Sequence, residues 1–351
     1  MHTKKIYTAY EMAWWTRYET FLFAGIAIAI VSLYYFFDLT WLSIPWTPLA
    51  LIGTAVAFVI GFQNNAAYGR IWEARKIWGG IVNTSRTFGV FVQDMVTNEH
   101  AISPLSEEEL QQEIKTLTYR HIAWMTALRH AMRAPKKWET TLNDKSNRDL
   151  KIAPPEKDSN VEDDIKDYIS KSDLEYVMDK DNKQTALLYL QSHHLKKLKD
   201  KGVIWEFSFL ELEGVTKELF TLQGKSERIK NFPYPRQFAT LNHFFMWIFV
   251  ILLPFALVPQ FSEIGIDMME KSPIIGGIFV WFSIPFYIIV AWVFHTMERI
   301  GRTGENPFEG TANDVPISTI ARGIEIDLRQ NLGENKESIP KQFPVVFDTH
   351  F

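Results

Sequence analysis

The sequence contains no cysteine. Disulfide bonds, thiol catalysis and cysteine-ligated zinc or iron–sulfur sites are therefore excluded. The formal net charge is only −4, and the basic residues are scattered among acidic ones, so a nucleic-acid partner is not expected. The sequence also lacks a P-loop, a GxSxG elbow and an HExxH motif. Neither an enzyme activity nor a bound cofactor is predicted.

Long apolar runs are what the sequence does contain, in two blocks near positions 21–62 and 244–294. The stretch between the blocks is rich in Lys, Glu, Asp and Gln. The first run, Phe21–Phe37, carries no charge and is long enough to cross a bilayer. No small-residue cleavage site follows this run, which predicts a retained membrane helix and not a signal peptide.

Three further apolar runs complete the membrane pattern. Leu49–Phe62 is short for a full span, but the sequence continues without proline, so one long helix could leave the membrane and enter the cytosol. Phe244–Val258 contains Pro254 and Ile274–Phe294 contains Pro285, and each proline predicts a kink. The predicted fold class is therefore an all-α integral membrane protein with four transmembrane helices.

The distribution of Lys and Arg predicts the orientation. The loop Asp38–Thr47 has none and Pro259–Pro273 has only Lys271, so both loops are expected outside. The N-terminus, the middle region and the C-terminus are then cytosolic, in what we expect to be a bacterial inner membrane. The predicted division is a cytosolic segment 1–20, transmembrane helices 1 and 2 in 21–62, a cytosolic helical domain 63–243, transmembrane helices 3 and 4 in 244–294, and a cytosolic C-terminal segment 295–351.

The middle region shows strong helical signals with one interruption. A capping box at Ser106 and Glu109 opens a helix that runs to Arg133. Residues 134–172 contain several prolines and many charges, which predicts an exposed insertion of low order. Helical periodicity resumes near Leu174.

The second apolar helix carries the most informative pattern. Three residues recur every four positions and share one helix face: Thr54, Phe58 and Phe62. An aromatic stripe of this kind is usually part of a core or faces lipid. Three amides follow it near the membrane border and indicate a polar or water-filled neighbourhood, which favours a pore-lining role: Gln63, Asn64 and Asn65.

The string GFQNNAAYGRIWEARKIWGGIVNTSR, Gly61–Arg86, resembles the signature of bacterial bestrophin homologues. Tyr119–Arg133 is similar to the next helix of that family, and Ser226–Pro235 to its ERI-x-N-x-P-x-P element. Asn306–Ile317 is similar to its C-terminal belt. These four matches follow the expected order and cover most of the chain except the insertion.

The resemblance implies a homopentamer with a central pore, whose neck is lined by Phe62, Phe58 and Thr54 of the second helix. Such a neck is a hydrophobic constriction that excludes water until the side chains separate. The family usually has an aliphatic residue at the position of Thr54, and this departure could make the outer neck more easily wetted. A second, cytosolic constriction is expected within Ile204–Leu212, with Phe207 and Leu210 as the candidates.

Animal members of the family build a calcium site from an acidic run after the motif NPF. In this sequence EGTAND follows instead, and only three oxygen donors remain as weak metal-ligand candidates: Glu309, Asn313 and Asp314. Calcium prefers six to eight oxygens with several carboxylates, so calcium gating is not expected.

The resemblance implies a passive ion channel for chloride or other small anions, with permeant ions and membrane lipid as its partners. Two alternatives stay open. One is a monovalent cation channel of the same fold, and the other is a non-conducting membrane scaffold or receptor. A secondary transporter is less well supported, because internal repeats and charges at the bilayer midplane are absent from the sequence.

Overall fold

A computed structural model describes residues 1–139, 144–149 and 153–351. These residues form helices joined by loops, and within them the only β-type pairings are isolated bridges. The α-helices are α1 Ala9–Trp15, α2 Arg17–Phe36, α3 Trp46–Met95, α4 Glu107–Arg133, α5 Lys145–Asp149, α6 Val161–Ile165, α7 Lys171–Met178, α8 Lys183–Asp200, α9 Glu206–Asn231, α10 Arg236–Met269, α11 Pro273–Ile278, α12 Ser283–Gly304 and α13 Ile317–Asn331. The prediction of an all-α chain is confirmed.

The chain folds as two compact units. The apolar unit comprises Lys4–Gly69 and Pro233–Glu305, and the polar unit comprises Met1–Thr3, Arg70–Phe232 and Asn306–Phe351. Helix α3 contributes its first part to the apolar unit and its second part to the polar unit. The prediction that the second apolar run continues as one long helix is confirmed, since α3 has 50 residues.

The apolar unit contains the four predicted membrane helices. They are Arg17–Phe36, the first part of Trp46–Met95, Arg236–Met269 and Pro273–Gly304. Most of the surface of each apolar stretch is not buried within the chain, as expected of helices that contact lipid or other subunits. Their shared core packs side chains from all four helices: Phe23, Ala27, Val56, Ile60, Met246, Val250, Tyr287 and Ala291.

The two predicted proline kinks have different structural settings. The helix is interrupted just before Pro285, because α11 passes into the 3-10 segment Phe279–Phe282 and α12 begins at Ser283. The hydroxyl of Ser283 donates to the Val280 carbonyl at 2.6 Å, which satisfies a carbonyl at the interruption. Helix α10 continues through Pro254 without ending, and a kink there stays a prediction.

The polar unit is built around α4. The predicted capping box is present, with the Ser106 hydroxyl accepting from the Glu109 N–H and the Glu109 carboxylate accepting from the Ser106 N–H. Beyond this cap α4 is buried on most sides, and Trp124 at its centre donates to the Gln223 side chain of α9 at 2.9 Å.

The predicted exposed insertion at 134–172 is partly buried among the residues that the structure describes. Positions 140–143 and 150–152 lie outside them. In the remainder, Ile165 is fully buried and Glu156 is buried. The segment therefore folds against the polar unit instead of projecting from it.

Charge pairing with α4 explains this difference. Arg129 donates to the carboxylate of Glu156 and, at 2.7 Å, to that of Asp164. His130 also contacts Asp164, at 2.8 Å. The charges that suggested a solvated loop are thus neutralised by partners far away in the sequence.

Candidate pore-lining site

Helix α3 of the apolar unit exposes one face and buries the opposite one. Phe58 and Phe62 are 67% and 60% exposed, and Thr54, one turn before Phe58, is exposed as well. Val56 and Ile60 pack into the core on the other side. The three predicted neck residues therefore share one exposed face in a single chain, as a 3.6-residue repeat requires.

The two aromatic side chains on this face contact each other. The ring centroids of Phe58 and Phe62 lie 4.6 Å apart with the planes at 86°, an edge-to-face pair. One turn earlier, the hydroxyl of Thr54 donates to the Ala50 carbonyl at 2.9 Å. The hydroxyl hydrogen of Thr54 is thus used within the helix, and only its oxygen lone pairs remain for water.

Gln63 points away from this exposed face. Its side chain is 1% exposed, and its Nε2 donates to Glu305 at 2.7 Å while its Oε1 accepts from Asn242 at 3.0 Å. Arg236 completes the network with a bond to Glu305 at 3.0 Å. The neighbourhood of Gln63 is polar, as the sequence indicated, and consists of an internal hydrogen-bond network.

The two asparagines that follow differ from each other. Asn64 is half-buried beside Gly301 of α12, so closely that a Cβ at position 301 would collide with Oδ1 of Asn64. Asn65 is exposed on the same side as Phe58 and Phe62. Of the three amides only Asn65 lies next to the candidate neck, and helical spacing explains this, because Gln63 is rotated about 140° from Phe58.

The candidates for the cytosolic constriction lie at the start of α9 in the polar unit. Phe207 and Leu210 are both exposed, whereas Ile204 and Leu212 are buried. The ring of Trp205 lies 4.8 Å from that of Phe207 and is half exposed. Trp205 was missed from sequence, although it falls within the predicted stretch, and it joins Phe207 and Leu210 as a candidate.

The weak metal-ligand candidates do not form a cation site. Asp314 is buried, and its carboxylate accepts from the backbone N–H groups of Phe308, Gly310 and Val315 at 2.7–2.9 Å. Its remaining partner is the guanidinium of Arg133, at 3.1 Å. A positive side chain therefore occupies the place that a cation could take beside this carboxylate.

The other two candidates do not add to such a site. Glu309 is buried and Asn313 is exposed, so their side chains have opposite environments. Across the described residues no group of three or more His, Cys, Asp or Glu side chains is placed to hold a metal ion.

These features define an integral membrane protein of four apolar helices, one of which carries an exposed aromatic stripe and extends beyond membrane length. A sequence model of bacterial and fungal bestrophin proteins matches residues 16–330. The chain belongs to this family, and the resemblance deduced from its motifs is confirmed.

Relatives and solved structures agree with that assignment. The Escherichia coli K12 protein named voltage-dependent anion channel-forming protein YneE is 24% identical, over 94% of this chain and 89% of its own length. A Ralstonia nicotianae protein named voltage-dependent anion channel-forming protein RSc3414 is 25% identical over 82% of this chain and 78% of its own. The crystal structure of a bacterial bestrophin homolog from Klebsiella pneumoniae matches with a TM-score of 0.70 at 19% identity, over 91% of this chain and 99% of that one. This structural match shows a common fold.

Proposed function

We propose that the chain is a passive channel for chloride or other small anions, assembled as a homopentamer around an axial pore. The exposed stripe of α3 lines this pore, with Phe58 and Phe62 as the hydrophobic neck and Thr54 toward its outer end. The observation that carries the proposal is the stripe itself, since Thr54 and Asn65 place polar groups on the same exposed face as the two aromatic rings. A purely lipid-facing stripe would not be expected to carry the side-chain amide of Asn65, whereas the Thr54 hydroxyl is already bonded to the Ala50 carbonyl.

The relatives support the choice of ion, because those described above are named as anion channel-forming proteins. The bestrophin resemblance supports the five-fold assembly. Trp205, Phe207 and Leu210 form the second constriction, on the cytosolic side. The two loops poor in basic residues face the outside of a bacterial inner membrane, and both termini are cytosolic.

The reversal potential of the purified protein in a planar bilayer under a potassium chloride gradient tests this function. We expect it to lie near the chloride equilibrium potential. A value near the potassium potential would instead establish a cation channel of the same fold. If no current flows at any voltage although the protein is intact in the bilayer, a scaffold or receptor becomes the better description.

Calcium is not expected to regulate this channel. The Asp314 carboxylate already binds three N–H groups and Arg133, so it offers calcium no free carboxylate. Current should change less than about twofold when free calcium is raised from nanomolar to millimolar, a range that spans the affinities of calcium sensors. A steep rise in current at micromolar calcium would contradict this prediction.

A further inference from the structure

The exposed stripe of α3 continues into the polar unit and there carries a positive charge. Lys76 follows Phe58 by eighteen residues, which is five turns of an α-helix and returns to the same side. The neighbouring positions on that side, Trp72, Gly79 and Asn83, are also exposed. On the opposite side Ala74, Ile77, Trp78 and Ile81 are buried in the core of the polar unit.

Helix α9 lies antiparallel beside this part of α3. Arg228 of α9 is 3.9 Å from the carboxylate of Glu73, and Gly80 of α3 approaches Leu222 so closely that a Cβ there would lie 2.9 Å from Cδ2 of that leucine. The exposed side of α9 here carries Arg228, Lys225 and Thr221. We call the joint surface the α3–α9 face; its members are Trp72, Lys76, Gly79 and Asn83 of α3 and Thr221, Lys225 and Arg228 of α9.

Positive charge is in excess on and around this face. The cationic side chains are Lys76, Lys225 and Arg228, with Arg75 at its edge, and those of Lys76 and Arg228 are 58% and 67% exposed. Of the three carboxylates nearby, Glu73 contacts Lys76 at 2.9 Å. Glu218 is exposed one turn before Thr221, on the same side of α9. Glu227 instead accepts bonds from Asn182, Gln184 and Gln223 and is directed toward α8. Two acidic groups therefore oppose four basic ones on this surface.

We propose that Lys76, supported by Lys225 and Arg228, forms a basic ring on the cytosolic approach to the pore and concentrates small anions there. The inference rests on the proposed function, because the ring needs the exposed stripe of α3 to line the conduction path. Like charges repeated around a confined aqueous path raise the local concentration of counter-ions. Ionic strength screens this effect, since the Debye length falls from about 10 Å at 0.1 M salt to about 3 Å at 1 M.

Lys76→Glu tests the ring, with Lys76→Arg as the charge-conserving control. Lys197→Glu is the matched control, because it makes the same charge change at an exposed position of α8 that is not a member of the α3–α9 face. Single-channel current and reversal potential are measured for the full-length protein at 0.1 M and 1 M potassium chloride. Lys76→Glu should lower the ratio of anion to cation permeability by about threefold at 0.1 M and have little effect at 1 M.

The outcomes separate this inference from the channel function. If the wild type conducts and Lys76→Glu leaves the ratio of anion to cation permeability unchanged, the ring is overturned but the channel is not. The ring is also overturned if Lys197→Glu changes this ratio as much as Lys76→Glu does. A silent wild type would overturn the channel and the ring together. Arg228→Glu tests the same surface from α9 and should shift the ratio of anion to cation permeability in the same direction. With two variants, the poor assembly of one does not decide the result.

Discussion

Phe58→Ala is expected to raise the single-channel conductance by at least about threefold, because it removes one aromatic ring from every subunit at the hydrophobic constriction. Phe58 is 67% exposed in the single chain, so the substitution removes little of the core of the apolar unit. It also deprives Phe62 of an edge-to-face partner 4.6 Å away, a contact of about 0.5–1.5 kcal/mol, and leaves the second ring more mobile. A wider neck with a mobile second ring should wet more often and conduct more.

Phe21→Ala is the matched control for this prediction. Phe21 lies at the start of the apolar stretch of α2 and is 74% exposed, so it resembles Phe58 in residue type and exposure but is not on the α3 stripe. Its replacement should leave the conductance unchanged. Equal conductance in Phe58→Ala and wild type, or the same increase in Phe21→Ala, would show that the exposed face of α3 is not the neck. Single-channel recording at one fixed salt concentration is sufficient for this comparison.

Elements with local signals could be predicted from the sequence. The four apolar runs identified the membrane helices, and the absence of proline after Leu49 predicted the long α3. Ser106 and Glu109 predicted the start of α4 because a capping box involves only residues three positions apart. That Thr54, Phe58 and Phe62 share one side of the helix also followed from spacing alone.

Features that depend on distant partners could not be predicted in this way. Glu156 and Asp164 looked like charges of a solvated loop, and only the fold brings Arg129 to them. The direction of Gln63 was available from helical spacing, but its partner Glu305 is far away in the chain. Local composition does not reveal such long-range pairs, and for that reason the buried part of the insertion was not predicted.

Arg133→Met should cause the largest loss of stability in the polar unit. The side chains of Arg133, Glu156 and Asp314 are each at most 4% exposed. The guanidinium of Arg133 donates to Asp314 at 3.1 Å and to the Phe308 carbonyl at 3.0 Å. Methionine fills a similar volume but leaves buried carboxylates without this counter-charge, a change that costs about 3–5 kcal/mol.

Arg86→Met is the matched control, because Arg86 forms an ion pair with Asp327 at 2.9 Å in which both side chains are substantially exposed. An exposed pair of this kind contributes at most about 1 kcal/mol. The double variant Arg133→Met with Asp314→Asn should recover part of the loss, since it removes one of the unpaired charges. Thermal unfolding in detergent measures all three variants, and equal losses for Arg133→Met and Arg86→Met would contradict the assignment of a buried charge cluster.

The pH dependence of Arg133→Met gives a sharper test of the same cluster. Burial would raise the pKa of the Glu156 carboxyl, but the charges of Arg129 and Arg133 outweigh it and hold that pKa below its usual value. A depressed folded-state pKa contributes stability that is present above the unfolded pKa and is lost as the pH falls through the folded one. Without Arg133 the pKa of Glu156 is lowered less. The difference in unfolding free energy between wild type and variant should therefore be largest near pH 7 and smaller at about pH 4, where the Glu156 carboxyl takes up a proton. A gap that stays constant over this range would mean that Arg133 stabilises the polar unit through packing and not through its charge.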